Sequence, residues 1–329
     1  LTIRNGSKEL ALKILVTPTS FLKPGNAQAR EKIEAFADEV VYNDLGRPLQ
    51  ENEILKRLEG VDGYIAGVDY ITADVIEKMP RSVKVISRYG AGVDRVDIAA
   101  CTKKGIAVAN TPGANAVAVC ELAFALMLCA ARNIPKLHAA VENGEWPRSE
   151  GVELYGKTLG IVGMGAIGKN LAKRAAAFGM NVQAYDPYFD EAFAREHGVL
   201  KAQLDDLIFS SDFISLHVPL SDATRHMINE ERIGKMKKGA VIVNTARGGL
   251  IDEDAAAQAL REGRLGGIGL DAFELEPLTH SPLKGLDRVV LTPHTGAHTG
   301  EAVQAMGRMA VDNCIAVLRG EACKYVLNK

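Results

Sequence analysis

The chain has 329 residues, a length that suits two domains, and its 47% hydrophobic and 24% charged residues are the balance of an ordinary globular protein. A net charge of −2 offers no basic field, so neither nucleic acid nor a membrane surface is expected as a partner. The five cysteines, at 101, 120, 129, 314 and 323, include no C-x-x-C pair, which argues against a zinc site or disulfide framework and for a reducing, cytoplasmic compartment.

The opening "LTIRNGSKEL" lacks a basic region followed by an apolar core and does not read as a secretion signal; its start at Leu1 implies a trimmed native N-terminus. "LKILVTP" (12–18) reads as a strand, "AQAREKIEAFA" (27–37) as a helix, "EVVYND" (39–44) as a strand and "LQENEILKRLEG" (49–60) as a helix. The alternation continues through the strand "GYIAG" (63–67), the Thr-capped helix "TADVIEKMP" (72–80) and the strand "VKVISRYG" (83–90). It runs on through the helix "DRVDIAACTKKG" (94–105) and the strand "IAVANTPG" (106–113). Apolar strands separated by helices imply a parallel sheet covered on both faces. "AVAVCELAFALMLCAA" (116–131) is too short for a comfortable membrane span, carries Glu121, and reads as a buried helix.

After a looser stretch (133–157) the alternation restarts with the strand "TLGIVGMG" (158–165) and the helix "AIGKNLAKRAAAFG" (166–179). Further strands are "NVQAYDP" (181–187), "FISLHVP" (213–219), "GAVIVNTA" (239–246), "GGIGLDAF" (266–273) and "RVVLTPH" (288–294). The chain thus holds two open α/β units. The long amphipathic helix "GEAVQAMGRMAVDNCIAVLRG" (300–320) is expected to return to the first unit, leaving that unit discontinuous with a cleft beside the second.

G-x-G-x-x-G at Gly163, Gly165 and Gly168 follows an apolar strand and opens a helix, the context a dinucleotide fingerprint requires. Gly163 permits the tight turn, Gly165 lets backbone approach a pyrophosphate, and Gly168 lets helix and strand pack closely. Ala166 and Ile167 begin the helix, whose N-terminus offers unpaired N–H groups to phosphate. Asp186, 18 residues after Gly168, is placed to accept from two ribose hydroxyls and to repel a 2′-phosphate. No Arg adjoins it in "DPY", so NAD is expected over NADP.

Arg247 in "NTARGGLID", Asp271, Glu274 and Glu276 in "LDAFELEP", and His294 in "LTPHTG" fall after apolar strands, where open parallel sheets bind ligands. Hydride transfer at a carbinol carbon needs a base for the hydroxyl proton, a carboxylate to steady that base, and a cation for the substrate carboxylate. His294, Glu276 and Arg247 supply that set. Taken singly, each has an ordinary structural role; their joint placement carries the assignment. His294 and His298 stand four apart, but Pro293, Gly296 and Gly300 surround them and no further His/Cys cluster completes a ligand set, so no metal is expected.

The motifs "SRYGAGVDRVD", "NTPGANAVAVCELAFALML", "GKTLGIVGMGAIGK", "AYDP", "NTARGGLID", "LDAFELEP" and "LTPHTG", in that order, closely resemble the D-isomer-specific 2-hydroxyacid dehydrogenases. The resemblance covers about residues 60–320 and is closest to the branch that includes D-3-phosphoglycerate dehydrogenase. It implies a Rossmann NAD-binding domain (112–298) inserted in a flavodoxin-like substrate-binding, catalytic domain (1–111 and 299–329), both doubly wound parallel sheets. It also implies an NAD-dependent oxidoreductase acting on a D-2-hydroxy acid or 2-keto acid, such as D-3-phosphoglycerate and 3-phosphohydroxypyruvate. The rival substrates are glyoxylate and hydroxypyruvate, and a rival of another class is an NAD-sensing corepressor-like binding protein.

By the same resemblance, Arg247 binds substrate, His294 is the acid/base, Glu276 is its acidic partner, and Asp271 holds the nicotinamide carboxamide. His217, Val218 and Pro219, with Thr224, Thr245 and Ala246, border the cofactor. The N–H groups of Ala91 and Gly92 take the substrate carboxylate, Arg88 a second anionic group, and Asn115 binds substrate where the interdomain hinge meets it. His298 replaces a commoner small polar residue and is assigned to substrate selection or the interdomain boundary. The helix 116–131 and the stretch through "ENGEWPRS" (142–149), with Trp146, resemble a dimerising arm, so a homodimer through the NAD-binding domain is expected. The chain stops soon after the last helix, which suits a short form without a regulatory domain.

Overall fold

The computed structural model describes residues 11–328; the opening segment 1–10, read above as no secretion signal, lies outside them. The chain divides into two compact units, Ala116–His298 forming one and the residues before and after it the other.

The first unit alternates β1 (Lys13–Val16), α1 (Ala27–Glu34), β2 (Glu39–Tyr42), α2 (Glu51–Arg57), β3 (Gly63–Ala66), α3 (Ala73–Lys78), β4 (Val85–Arg88), α4 (Ile98–Lys104) and β5 (Ala107–Ala109). Its five strands are all parallel in the order β2-β1-β3-β4-β5, the flavodoxin-like order expected. Side chains of β3 and β4 are buried on both faces, which is why these strands read as continuous apolar runs rather than alternating ones.

In the second unit, α5 (Ala116–Arg132) and α6 (Ile134–Glu142) precede β6 (Thr158–Val162), α7 (Ala166–Ala177), β7 (Asn181–Tyr185), α8 (Glu191–His197) and β8 (Leu200–Lys201). Then come α9 (Leu204–Ser210), β9 (Phe213–Leu216), α10 (Glu230–Lys235), β10 (Ala240–Asn244), α11 (Glu253–Arg261), β11 (Leu265–Leu270) and β12 (Val289–Leu291). Seven parallel strands lie in the order β12-β11-β10-β9-β6-β7-β8. The chain builds outward from β6 to β8, then resumes with β9 on the other side of β6. That reversal is the topological switch point where such sheets bind ligands. Helix α5 lies close on β11, where a Cβ on Gly269 would come 2.8 Å from Leu126 Cβ. Among the described residues no single helix is long and apolar enough to cross a membrane.

The last helix, α12 (Gly300–Leu318), belongs to the first unit. Thr299 caps it by accepting from Ala302 N–H, and Met306, Ala310, Val311 and Cys314 form its buried stripe. Ser87 Oγ donates to Ala310 O at 2.7 Å and Tyr89 OH to Val303 O at 2.9 Å, fixing the helix to β4 and the turn beyond it.

Candidate active site

Six neighbouring strands of the second unit each deliver a residue of interest just past their carboxyl ends. β7 leads to Asp186, β6 to Gly163, β9 to His217, β10 to Thr245 and Arg247, β11 to Asp271 and Glu276, and β12 to His294. Residues scattered over 132 positions of sequence thereby share one sheet edge.

The glycine-rich turn fits a dinucleotide. Gly163 has φ 103, and a Cβ there would meet His217 O at 2.6 Å. A Cβ on Gly168 would meet Gly163 O at 2.1 Å, so helix and strand approach more closely than any side chain permits. Gly165 is different: a Cβ there meets nothing within 4 Å, so its backbone faces open space at the N-terminus of α7. Ala166 and Ile167 are the first two residues of that helix. Asp186 accepts from Met164 N–H and Tyr188 N–H, each at 2.7 Å, tying the turn to the end of β7. A carboxylate has further lone pairs to offer a ribose.

Two buried polar atoms on this edge have no hydrogen-bond partner among the described residues: His217 Nδ1 and Thr245 Oγ1. They follow Leu216 and Asn244, which are paired in register, so they belong to adjacent strand ends. His217 Nε2 meets Ser215 Oγ at 2.9 Å, and burial lowers the ring's pKa to about 4, leaving it neutral at ordinary pH. Orphaned polar atoms of this kind call for a partner supplied from outside the chain. Val218 is half-buried and Pro219 exposed, while Thr224 Oγ1 donates to Pro219 O at 2.8 Å and accepts from Ser221 N–H. Ala246 N–H donates to Asn244 Oδ1 at 3.0 Å.

The structure brings His294 and Glu276 together, with Nδ1 2.8 Å from Oε1. The carboxylate accepts, so Nδ1 carries the hydrogen. Glu276 Oε1 also accepts from Phe273 N–H at 3.2 Å. His294 has φ 50, a left-handed conformation uncommon for a non-glycine residue and concentrated at functional sites. Asp271, only 2% exposed, holds this turn. Its Oδ1 accepts from Thr292 Oγ1 at 2.6 Å and Thr295 N–H at 2.8 Å, and its Oδ2 from Gly296 N–H at 2.8 Å. Arg247 sits one strand over, in extended backbone, with its carbonyl fixed by Asn244 Nδ2 at 2.7 Å. Its Nη1 donates to Ala246 O at 2.7 Å. His298 takes a different partner from His294, its Nδ1 lying 3.3 Å from Thr295 Oγ1.

The residues singled out in the first unit lie around the end of β4. Arg88 is 8% exposed, and its Nη1 donates to Tyr89 O at 2.6 Å and Ala66 O at 3.3 Å. It therefore braces the loops after β3 and β4. Gly90, with φ 142, is pinned by N–H donation to Thr111 Oγ1 at 3.0 Å. Ala91 O accepts from Asn110 Nδ2, while no hydrogen bond joins the Ala91 or Gly92 N–H to another described residue. Asn115 is half-buried at the end of this unit. Beneath the loop after β3, the buried Asp69 accepts from Thr17 Oγ1, Tyr64 OH and Leu49 N–H.

Sequence reasoning passed over Thr292, Asn244 and Glu253, which hold the turns bearing His294, Arg247 and Glu276. Nothing local to "IDEDAAA" distinguishes Glu253 from a surface acid.

A family model described as "D-isomer specific 2-hydroxyacid dehydrogenase, NAD binding domain" matches residues 124–296. The D-3-phosphoglycerate dehydrogenase of Methanocaldococcus jannaschii is 47% identical over 295 residues, covering 88% of this chain but only 56% of that protein. The hydroxypyruvate reductase of Thermotoga maritima is 47% identical over 265 residues, 79% of this chain and 85% of that one. Among solved structures, a Thermus thermophilus protein superposes with a TM-score of 0.87 at 37% identity, covering 96% of this chain and 100% of that one.

Proposed function

The chain belongs to the D-isomer-specific 2-hydroxyacid dehydrogenase family, and on that premise we propose that it interconverts a small D-2-hydroxy acid and its 2-keto acid with NAD(H). The observation that carries this reading is the 2.8 Å contact between His294 Nδ1 and Glu276 Oε1, one strand end away from Arg247.

NAD, when bound, supplies the hydride acceptor for oxidation and its reduced form the donor for reduction. Gly163, Gly165, Ala166, Ile167 and Gly168 hold its pyrophosphate and Asp186 its adenosine ribose. The 217–219 segment, Thr224, Thr245, Ala246 and Asp271 serve the remainder. Arg247 grips the substrate carboxylate with its forked donors, and the N–H groups of Ala91 and Gly92 are assigned to substrate binding. Asn115 is assigned to substrate binding, and His298 to substrate selection. In the oxidative direction His294 Nε2 takes the hydroxyl proton, and in reduction it returns a proton to the keto oxygen. Glu276, on Nδ1, fixes the ring and stabilises the imidazolium.

For the substrate we favour an unphosphorylated 2-keto acid such as hydroxypyruvate or glyoxylate, after the hydroxypyruvate reductase to which the chain is 47% identical. The test is NADH oxidation with glyoxylate, hydroxypyruvate and 3-phosphohydroxypyruvate. Turnover fastest with an unphosphorylated acid is expected. Preference for the phosphorylated one reverses the substrate choice, and no turnover with any defeats the reading.

We assign the exposed apolar side chains of Ile134, Val141 and Trp146 (80% exposed) to a homodimer interface on the NAD-binding domain. A dimeric mass in solution is expected, and a monomer counts against it. All five cysteines are free, which suits a cytoplasmic setting.

A further inference from the structure

Glu253 is the first residue of α11, yet its side chain is 9% exposed, rare for a carboxylate. Its neighbour Asp254 is exposed in the same first turn, and Asp252 caps the helix by accepting from Ala255 N–H. The helix terminus is thus served without a buried acid. Glu253 accepts instead from the loop after β11: Oε1 from Glu274 N–H at 3.0 Å, and Oε2 from Ser281 Oγ at 3.2 Å.

That loop carries Glu276 and is gripped from other directions as well. A Cβ on Gly248 would lie 1.8 Å from Phe273 C and 2.2 Å from Glu274 N, so the residue after Arg247 is in backbone contact with the loop. The Glu274 carboxylate meets His226 Nε2 at 2.7 Å, and His226 N–H donates to Gly249 O at 2.8 Å. The Glu274 peptide is therefore fixed from both sides, two residues before Glu276. Burying a carboxylate is costly unless it is fully hydrogen-bonded, so the geometry that satisfies Glu253 is well specified.

We propose that Glu253 is a positioning residue of the reaction: its buried carboxylate sets the 274–281 backbone so that Glu276 meets His294 Nδ1. The proposal rests on the assignment of His294 and Glu276 as the proton-transfer pair. Glu253 touches neither substrate nor cofactor and acts through Glu276 alone. Its loss should lower kcat, leave NADH affinity alone, and become silent once Glu276 is gone.

The test uses Glu253→Ala, Glu253→Gln, Glu276→Gln and the double variant Glu253→Ala/Glu276→Gln. It measures kcat and KM with the fastest keto acid of the panel above, and NADH affinity by fluorescence. Glu253→Ala should lower kcat about 10- to 100-fold, the scale of a misplaced catalytic group. Its NADH affinity should stay within about twofold of wild type, since only cofactor-independent contacts are lost. Glu253→Gln should recover most of the activity, because the amide oxygen still accepts from Glu274 N–H and its NH₂ can donate to the Ser281 hydroxyl. In the Glu276→Gln background, Glu253→Ala should cost less than about twofold. If the alanine variant melts below assay temperature, Glu253→Met fills the space and loses the same two acceptors. Wild-type kcat in the variant, or an equal loss in both backgrounds, overturns the positioning role while leaving the pair intact. Wild-type kcat in Glu276→Gln overturns the pair assignment, and the positioning role with it.

Discussion

Gly165 and Gly168 stand three residues apart in one turn, and alanine at each should fail in opposite ways. At Gly168 the new Cβ would lie 2.1 Å from Gly163 O, about 1.3 Å inside the 3.4 Å of ordinary contact, so helix α7 or the turn must move. Overpacking of this kind costs about 1–3 kcal/mol, which for a domain of this size lowers Tm by about 2–12 °C. At Gly165 nothing lies within 4 Å and φ is −70, so alanine is accommodated and Tm should change by no more than about 2 °C. What Gly165→Ala should lose is the close approach of a pyrophosphate to the helix N-terminus. One or two charge-assisted hydrogen bonds are worth about 1.5–3 kcal/mol, or about 10- to 150-fold in NADH affinity. Calorimetry and a fluorescence titration with NADH read the two effects separately. Wild-type NADH affinity in Gly165→Ala, or a wild-type melt in Gly168→Ala, would refute the roles given to these glycines.

Gly248→Ala should be more damaging than its size suggests, because its Cβ would land 1.8 Å from the Phe273 carbonyl carbon and push the Glu276 loop away from Arg247. A fall in kcat/KM of about 100-fold or more is expected, and steady-state kinetics within tenfold of wild type would contradict it. His217 predicts a pH effect on stability. Its folded pKa of about 4 lies below the 6.5 of the free group, so between those values the unfolded chain binds a proton that the folded one refuses. The stability present above pH 6.5 is therefore lost as pH falls towards 4, by about 3 kcal/mol at full effect. Urea unfolding across that window should show a steeper acid loss in wild type than in His217→Gln; equal slopes would exclude it.

The strands and the cofactor turn were legible because their signals are local. Strands buried on both faces, such as "GYIA" and "AVIVN", read as unbroken apolar runs, and the fingerprint needs only a strand, three glycines and a helix in sequence. Helices α8, α10 and α11 were missed although Asp190, Asn229 and Asp252 cap them. Helix α6 fell within the stretch read as loose: it buries no residue, so packing imposes no apolar stripe on its sequence. The candidate residues could be named from their motifs, but not their supports. Asp271 reaches Thr292 and Thr295, and Glu253 reaches Glu274 and Ser281, through tertiary contacts that no periodicity encodes.

The account centres on His294 as the group that moves the proton. Turnover of the best keto acid by His294→Asn, with NADH affinity measured on the same sample, tests it most directly. The account predicts a kcat lower by about 100-fold or more, since general acid–base catalysis contributes on that scale, with NADH affinity close to wild type. A variant that turns over at the wild-type rate would contradict it.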